Sequence, residues 1–319
     1  MSEVRIVSLL ASGTEIVAAL GLLDYLVGRS HECDFPPRVQ KLPVCSRPKL
    51  DYHSSSYRID QQIRSLLKDG LSIYEIDPEL LHHLQPTVIV TQTHCEVCAV
   101  SDKDVLRALG QWLGQPPRLV STQPDDLSRV WQSILDVAEA CGVPERGQML
   151  VQQLQQRMEQ IRKRCHGLSS TPRVACIEWV EPLMVAGNWV PELVQMANGR
   201  DPLGQPGRHS PLCSWERLQE ADPDLIIVMP CGFDLHRTRQ ELPLLEQQSA
   251  WSTLRAVRQG CVYLADGSAF FNRPGPRLVE TLEILAEIMH PQLHYGHEGK
   301  SWMKLHSEHL RRQSRITGE

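Results

Sequence analysis

Residues 144–168 are predicted to form one long amphipathic helix. Apolar residues recur along it at alternating steps of three and four positions, which places them on one helical face. These residues are Val151, Leu154, Met158, Ile161, Cys165 and Leu168. Pro144 suits a first helical turn, and Gly167 followed by residues 169–172 ends the helix. About 22 residues span roughly 33 Å, which predicts a rigid spacer between two lobes; the alternative is a surface helix of one larger domain.

The length of the chain also favours two domains. It has 319 residues, of which 41% are hydrophobic, enough to bury a core in each half. We predict an N-terminal lobe over residues 1–125, connecting helices over 126–170, a C-terminal lobe over 171–290 and a polar tail over 291–319. A helix-like piece near Trp302–Leu310 is expected to be peripheral.

Charge and hydropathy exclude several classes of protein. The chain has 38 acidic and 33 basic residues and shows no basic stripe, so nucleic acid is not an expected partner. No apolar run reaches the roughly 18 residues of a membrane span, and the first residues lack the pattern of a signal peptide. The sequence as written therefore predicts a cytoplasmic protein, or a periplasmic or cell-surface protein if a signal segment was removed. Its ten cysteines are then expected to be thiols or metal ligands.

An internal repeat relates the two halves. The segment from Glu79 through Pro86 to Val90 aligns with the segment from Glu216 through Pro223 to Val228. Each copy reads as a helix, a proline that ends it and a buried parallel strand. Together with the spacer, the repeat predicts two similar α/β lobes, although helix–proline–strand is also a common pattern in unrelated α/β proteins.

Polar and sulfur-bearing residues follow the predicted strands of the first lobe, where ligands of open α/β sheets bind. Ser12 and Thr14 follow the first strand, and one of them is expected to cap the helix Glu15–Leu22. A set of cysteines and histidines follows the other strands and suits zinc or another thiophilic metal. Its members are His31, Cys33, His94, Cys95 and Cys98, with Cys45 nearby. Ordinary buried thiols, or a redox dithiol at Cys95 and Cys98, are the alternatives.

Aromatic and hydrogen-bonding residues follow the strands of the second lobe. Apolar walls with a few directed polar groups are typical of a small-molecule site, which we place in a cleft between the lobes. Burial in the core is the alternative for each tryptophan. The candidate ligand-binding residues are Glu178, Trp179, Trp189, Phe233, Phe270, Phe271, Asn272 and Arg273, together with Ser12 and Thr14 of the first lobe.

The sequence resembles the cobalamin- and siderophore-binding proteins of ABC importers, over roughly residues 4–289. The resemblance rests on RIVSLLASGTEIVAALG at residues 5–21, GNWVPELVQMANG at 187–199, the spacer and the repeats. Three further segments are closest to the vitamin B12-binding members of the family. They are HECDFPP at residues 31–37, TQTHCEVC at 91–98 and FFNRPGPRLVE at 270–280. The resemblance implies the α/β class III clamshell of periplasmic binding proteins, in which one long helix joins two Rossmann-like lobes. It further implies a corrinoid in the cleft and little hinge motion. It also implies that Glu79 and Glu216 dock onto arginines of a transporter permease, although each carboxylate also suits a helix N-terminus by itself.

We therefore predict a binding protein rather than an enzyme, with cobalamin or another metal chelate as its ligand. The aromatic residues would supply contact area, and Arg273, Asn272 and Glu178 would bond ligand amides. The cysteine–histidine set would reach the ligand's cobalt or hold a metal such as zinc. The family carries an export signal and a mainly aromatic pocket, and this chain departs from both. A metal-dependent enzyme, with Glu32 or Glu96 beside an activated water, and a module that only docks through its two glutamates are the alternatives.

Overall fold

The computed structural model describes residues 4–68, 72–92, 102–110 and 116–305. Its contacts divide the chain into two compact units. The first unit comprises Met1–Gln156 and Pro274–Pro276, and the second comprises Arg157–Arg273 and Arg277–Glu319. Within the described ranges, no helix is both long enough and apolar enough to cross a membrane.

The first unit is built on a four-stranded parallel sheet. The strand order is β2-β1-β5-β6, and an antiparallel pair, β3 and β4, stands apart from it. Central strand β5 is buried along its whole length, as expected for a parallel strand covered on both faces. The elements of this unit are β1 (Ile6–Ser8), α1 (Ala11–Ala19), β2 (Leu26–Arg29), β3 (Ser46–Pro48), α2 (Ser56–Lys68), β4 (Tyr74–Ile76), α3 (Pro78–Leu84), β5 (Val88–Gln92), α4 (Asp102–Ala108), β6 (Arg118–Thr122) and α5 (Leu127–Ala140). Helix α6 (Pro144–His166) begins in this unit and ends in the second.

The second unit has a five-stranded sheet of order β11-β10-β9-β7-β8. Its three central strands are parallel, and both edge strands are antiparallel to their neighbours. The elements are β7 (Val174–Trp179), β8 (Met184–Val185), α7 (Val190–Met196), α8 (Trp215–Ala221), β9 (Leu225–Val228), α9 (Leu235–Glu246), α10 (Arg255–Arg258), β10 (Val262–Ala265), α11 (Leu278–Met289) and β11 (Trp302–Lys304).

The long helix α6 runs from Pro144 to His166, so the predicted helix is confirmed and ends two residues early. Five of its six predicted apolar positions, from Val151 to Cys165, are at most 9% exposed. The boundary between the two units falls inside this helix, after Gln156. One face of α6 is therefore buried along its length, as the spacing of its apolar residues requires.

The helix–proline–strand repeat is confirmed in structural detail. Asp77 caps α3 through its side chain, and Ser214 caps α8 in the same way. Each helix then ends on a residue with positive φ, Gln85 or Asp222, directly before the proline. In both halves the helix thus begins at a side-chain cap, ends on a left-handed residue and is followed by a buried strand, which is β5 in the first half and β9 in the second.

An arginine before the first strand of each unit makes the same contact. Arg5 Nε donates to the carbonyl oxygen of Leu84 at 2.8 Å, and Arg173 Nη1 donates to that of Ala221 at 3.3 Å. Leu84 and Ala221 are separated by 137 residues, the spacing of the repeat. These arginines stabilise the carboxyl ends of α3 and α8, where cations interact favourably with the helix dipole.

The tail departs from its prediction. Trp302–Lys304 forms β11, which pairs with β10, so the expected helix near Trp302–Leu310 is wrong for its described residues. Trp302 is only 6% exposed, and its ring lies 5.8 Å from that of Tyr263. Burial of this indole against the sheet favours an extended backbone over a peripheral helix.

Candidate functional site

The carboxyl ends of the parallel strands are the candidate site in each unit, because loops that follow them gather at one edge of the sheet. In the first unit, α1 begins at Ala11 directly after β1, and its N-cap is Leu10 without a side-chain bond. The prediction that Ser12 or Thr14 caps this helix is therefore wrong. Both residues lie inside α1, where the amide of Thr14 already donates to the Leu10 carbonyl at 3.2 Å.

Ser12 and Thr14 are occupied by contacts within the chain. Thr14 is fully buried, and its hydroxyl donates to Sγ of Cys33 at 3.0 Å. Ser12 is 5% exposed, and Gly275 of the Pro274–Pro276 segment approaches its Cβ. Neither side chain offers surface to a ligand in this conformation, so we do not retain them as contacts.

Cys33 and Cys45 are buried thiols. Cys33 is 1% exposed, and its Sγ lies 3.9 Å from the carbonyl oxygen of Ser8. Burial raises the pKa of the Cys33 thiol and raises that of Cys45 to about 12. Since thiolates are the reactive and metal-binding form, both residues fit the alternative of ordinary buried thiols.

His31 has a different environment. Its Nδ1 lies 3.1 Å from Oγ of Ser46, and its ring centroid lies 5.4 Å from that of Tyr74. Burial, together with the nearby Arg29 guanidinium, lowers the pKa of His31 to about 4. Its Nε2 has no hydrogen-bond partner among the residues that the structure describes, and the carboxylate of Glu32 lies 3.9 Å away. A neutral imidazole with an unpartnered nitrogen has the form that binds metals.

The predicted metal site is only partly described. His94, Cys95 and Cys98, together with Glu96, lie outside the described residues. Among the residues that the structure does describe, no group of three or more histidine, cysteine or acidic side chains could hold a metal ion. A site that combines His31 with the segment around Cys95 stays a prediction.

Three aromatic rings stand at the carboxyl ends of the parallel strands of the second unit. Trp179 is the last residue of β7, and Phe233 and Phe270 each follow the ends of β9 and β10 by five residues. The rings of Trp179 and Phe233 are 5.4 Å apart and tilted by 46°. The Arg237 guanidinium lies 4.4 Å from the Phe233 centroid. These rings form an aromatic cluster at the carboxyl edge of the sheet, where ligands of open α/β sheets bind. Trp179 and Phe270 are partly exposed, whereas Phe233 is 4% exposed and packs against Trp179.

Trp189 and Phe271 pack inside the second unit. Phe271 is fully buried, and Trp189 is 5% exposed. The indole Nε1 of Trp189 donates to the carbonyl oxygen of Phe271 at 2.9 Å, which satisfies its buried N–H. The prediction that these two rings contact a ligand is not supported by their burial, whereas Phe270, the neighbour of Phe271, is partly exposed.

Polar groups beside the aromatic cluster are held by internal bonds. Glu178 is half-buried and accepts a hydrogen bond from Ser210 Oγ at 2.7 Å. Asn272 Nδ2 donates to the carbonyl oxygens of Met229 at 3.0 Å and Gly267 at 3.1 Å. Arg273 is 5% exposed, and its Nη2 lies 3.5 Å from Ser268 Oγ. Glu178 and Asn272 are partly exposed and therefore remain candidate ligand-binding residues. Arg273 is buried, and its contacts are mainly with the protein itself.

The sequence did not identify Arg237 or Ser210. Asp234 caps α9 by accepting the Arg237 amide at 2.7 Å, which places the Arg237 side chain one turn into the helix, over Phe233. Asp234 before a helical pattern could have indicated the start of this helix, and hence the position of Arg237. Ser210 lies far from Glu178 in the sequence, and no local pattern joins them.

Glu79 and Glu216 occupy matching places. Each is the second residue of its helix, α3 or α8, and both side chains are exposed. Hydrogen bonds from its own amide and from Ser214 lower the pKa of Glu216. Each carboxylate thus lies near a helix N-terminus, where a negative charge is favourable, and is open to solvent.

Comparisons with known proteins agree with this architecture. A family model described as periplasmic binding protein matches residues 6–269. An uncharacterized ABC transporter substrate-binding lipoprotein of Bacillus subtilis (strain 168), YvrC, is 21% identical over 292 residues, covering 90% of this chain and 80% of its own.

Solved structures share the fold at low identity. The periplasmic heme-binding protein RhuT from Roseiflexus sp. RS-1 has a TM-score of 0.65 at 21% identity, covering 92% of this chain and 100% of its own. The periplasmic vitamin B12-binding protein BtuF of Vibrio cholerae has a TM-score of 0.62 at 19% identity, covering 89% and 96%. The predicted α/β fold is confirmed by these similarities.

Proposed function

Because the chain belongs to the periplasmic binding protein family, we propose that it is the substrate-binding component of an ABC importer. Its ligand in this proposal is a flat macrocyclic metal chelate, in the first place a corrinoid. The names of similar proteins support this class, since one is an ABC transporter lipoprotein and others bind heme or vitamin B12. A family of binding proteins also favours the predicted absence of enzymatic activity.

The aromatic cluster of the second unit is the observation that carries the proposal. Trp179 and Phe270 are partly exposed at one edge of one sheet, and the buried ring of Phe233 packs against Trp179. A conjugated macrocycle offers a broad apolar face, which such rings contact through stacking and dispersion. Glu178 and Asn272 lie beside the rings and are suited to bond amides or other polar groups at the periphery of the ligand.

His31 of the first unit is the candidate ligand to the metal of the macrocycle. Its low pKa keeps the imidazole neutral at pH 7, and its Nε2 has no partner among the described residues. Cys33 is a poorer candidate, because its thiol is buried and bonded by Thr14. The position of the ligand in a cleft between lobes stays a prediction from the sequence.

The proposed role places the protein outside the cytoplasmic membrane. The Bacillus relative is named a lipoprotein, and the two solved structures are of periplasmic proteins. The prediction of a cytoplasmic protein finds no support in these similarities.

Titration with macrocycles tests the ligand class. We expect cyanocobalamin, hydroxocobalamin or hemin to bind with a Kd below about 10 µM, measured by absorbance and calorimetry. Trp179→Ala should weaken binding at least about tenfold because it removes a central aromatic contact. Tyr57→Ala, an exposed ring on α2, is the matched control and should leave the Kd unchanged.

The same titrations examine the metal ligand. If His31 binds the cobalt or iron, the visible absorption band of hydroxocobalamin or hemin shifts on binding to the wild type and stays unshifted with His31→Ala. No binding of any of the three compounds at about 100 µM would remove the proposed ligand class.

Glu79 and Glu216 are proposed to dock onto basic residues of the importer's permease. Their matched places on α3 and α8, and their exposure, support this role. We expect Glu79→Lys with Glu216→Lys to reduce recovery of the permease from native membranes at least about tenfold, because the reversed charges repel their partners. The macrocycle affinity should stay at the wild-type value.

Glu220→Lys supplies the control for that experiment. Glu220 is exposed on the same helix as Glu216 but lies at the other end of α8. We expect Glu220→Lys to recover as much permease as the wild type does. If the double variant Glu79→Lys with Glu216→Lys recovers as much permease as the wild type, the docking role is contradicted.

A further inference from the structure

The segment after α11 contacts the loop that carries Phe270. This segment, residues 293–304, lies beyond the residues matched by the family model. Its Ser301 carbonyl oxygen accepts the amide of Asp266 at 2.9 Å, directly where the loop after β10 begins. Strand β11 then pairs with β10 itself. The tail is therefore fixed to β10 and to the start of the loop that leads from β10 to Phe270.

Glu287 of α11 holds the same segment in place. Its carboxylate accepts the amides of Tyr295, Gly296 at 2.5 Å and His297 at 3.2 Å. It also accepts the indole N–H of Trp302 at 2.9 Å. Because these bonds fix three consecutive amides, the backbone at His297 has a defined position relative to α11.

The His297 side chain reaches Phe270. Its ring centroid lies 6.3 Å from that of Phe270, and the rings are inclined by 73° in an edge-on arrangement. On the other side of the imidazole, Nε2 lies 3.0 Å from Oε2 of Glu283. Arg157 Nη2 lies 3.3 Å from Oε1 of Glu283 and so restrains that carboxylate. The imidazole is thus held between an oriented acid and an aromatic ring.

Phe270 is also contacted by a cation. The guanidinium carbon of Arg277 lies 5.2 Å from its ring centroid. Two contacts of different kinds, an aromatic edge and a cation, therefore restrain a partly exposed ring. Aromatic contacts of this geometry contribute beyond simple burial and fix the orientation of a ring.

We propose that His297 is a positioning residue for ligand binding. It sets the orientation of Phe270, and Glu283 orients His297 in turn. The part played by Phe270 rests on the proposed function, whereas the restraint of its ring by His297 does not. In this proposal the C-terminal segment contributes to ligand binding by fixing the orientation of Phe270.

Fluorine NMR tests the restraint without any ligand. The chain has only four phenylalanines, so 4-fluorophenylalanine labelling yields four resonances, and Phe270→Tyr identifies that of Phe270. We expect His297→Ala to shift the Phe270 resonance more than the other three. His294→Ala, an exposed histidine of the same segment, is the control and should shift none of them. An unmoved Phe270 resonance in His297→Ala would overturn the proposal.

A double-mutant cycle tests the effect on affinity, with the tightest-binding macrocycle among cyanocobalamin, hydroxocobalamin and hemin as probe. His297→Ala should weaken binding about 3- to 10-fold, and His297→Phe, which keeps an aromatic edge, should restore most of it. In a Phe270→Ala background, His297→Ala should have no further effect. An equal loss in both backgrounds would mean that His297 acts by another route and would overturn the proposal.

The two proposals can fail separately. If no macrocycle binds the wild type, the proposed function fails, and the fluorine spectrum still decides whether His297 restrains Phe270. If a macrocycle binds and both His297 experiments show no change, the proposed function stands and this inference fails. Thermal unfolding of each variant separates loss of the fold from loss of the ring contact.

Discussion

Replacing Gly267 by alanine will destabilise the second unit by about 2–4 kcal/mol, a large effect for one methyl group. A Cβ at this position would overlap the carbonyl oxygens of Met229 and Pro230, and it would lie 2.7 Å from the carbonyl carbon of Met229. These are backbone atoms, so no side chain can turn away to make room. Relief requires the loops after β9 and β10 to move apart.

Gly232→Ala is the matched control for that experiment. Gly232 belongs to the facing loop and has a φ of +77°, but among the described residues no atom outside its chain neighbours lies within 4 Å of its Cβ position. Alanine there should cost only about 1–2 kcal/mol, for the left-handed backbone alone. Urea unfolding monitored by far-UV circular dichroism gives both free energies. A Gly267→Ala protein as stable as Gly232→Ala would contradict the close approach of the two loops.

The two loops should also act as one block in binding. Ser268 donates its amide to the carbonyl oxygen of Phe233 at 3.0 Å, and Asn272 bonds the carbonyl of Met229. Through these bonds the loop of Phe270 is joined to the loop of Phe233. We therefore infer that a change which separates the loops, such as Gly267→Ala, moves both rings together and lowers macrocycle affinity along with stability.

The regular elements were predictable wherever a local rule determined them. The helix from Pro144 was visible in its apolar spacing and begins at that residue in the structure. The repeat was visible because Pro86 and Pro223 each stop a helix and precede a buried strand. These features depend on residues close together in the sequence.

The unpredicted elements depend on contacts that the sequence hides. Helix α9 contains Pro243 in its last turns, and a proline there reads as a break, although the Asp234 cap and buried Leu242 support the helix. Strand β11 has only three residues and forms because Trp302 is buried against the sheet. Neither outcome follows from propensity alone.

The candidate site shows the same division. The sequence indicated which residues follow the strands, and the aromatic cluster of Trp179, Phe233 and Phe270 was named correctly as a group at strand ends. It could not tell which neighbour faces inwards. Phe270 and Phe271 are adjacent, yet only Phe271 is fully buried, and its carbonyl oxygen accepts the Trp189 indole N–H from a distant part of the sequence. Whether any of these residues contacts a ligand stays a proposal.

Replacing Glu287 by alanine will cost about 3–5 kcal/mol of stability at pH 7, the largest loss that we expect from a single polar side chain of this protein. The carboxylate is 6% exposed and accepts three backbone amides and the Trp302 indole. Alanine leaves these donors without their acceptor. Glu280→Ala on the same helix is the control and should cost less than about 1 kcal/mol. Glu280 is partly buried, but among the described residues its Oε1 makes a 3.5 Å contact with Arg157 and its Oε2 has no hydrogen-bond partner, so alanine removes little.

The pH dependence identifies the carboxylate as the source of this stability. Burial by itself would raise the pKa of Glu287, but the hydrogen bonds from Trp302, Tyr295, Gly296 and His297 together lower it below its usual 4.5. A depressed folded-state pKa stabilises the protein above the unfolded-state value, and this stabilisation is lost as the pH falls through the folded-state pKa. The difference in unfolding free energy between wild type and Glu287→Ala should therefore be constant from pH 7 down to about 5 and shrink below pH 4.5. A difference that stays constant down to pH 3 would show that packing, and not the ionised acceptor, holds the C-terminal segment against α11.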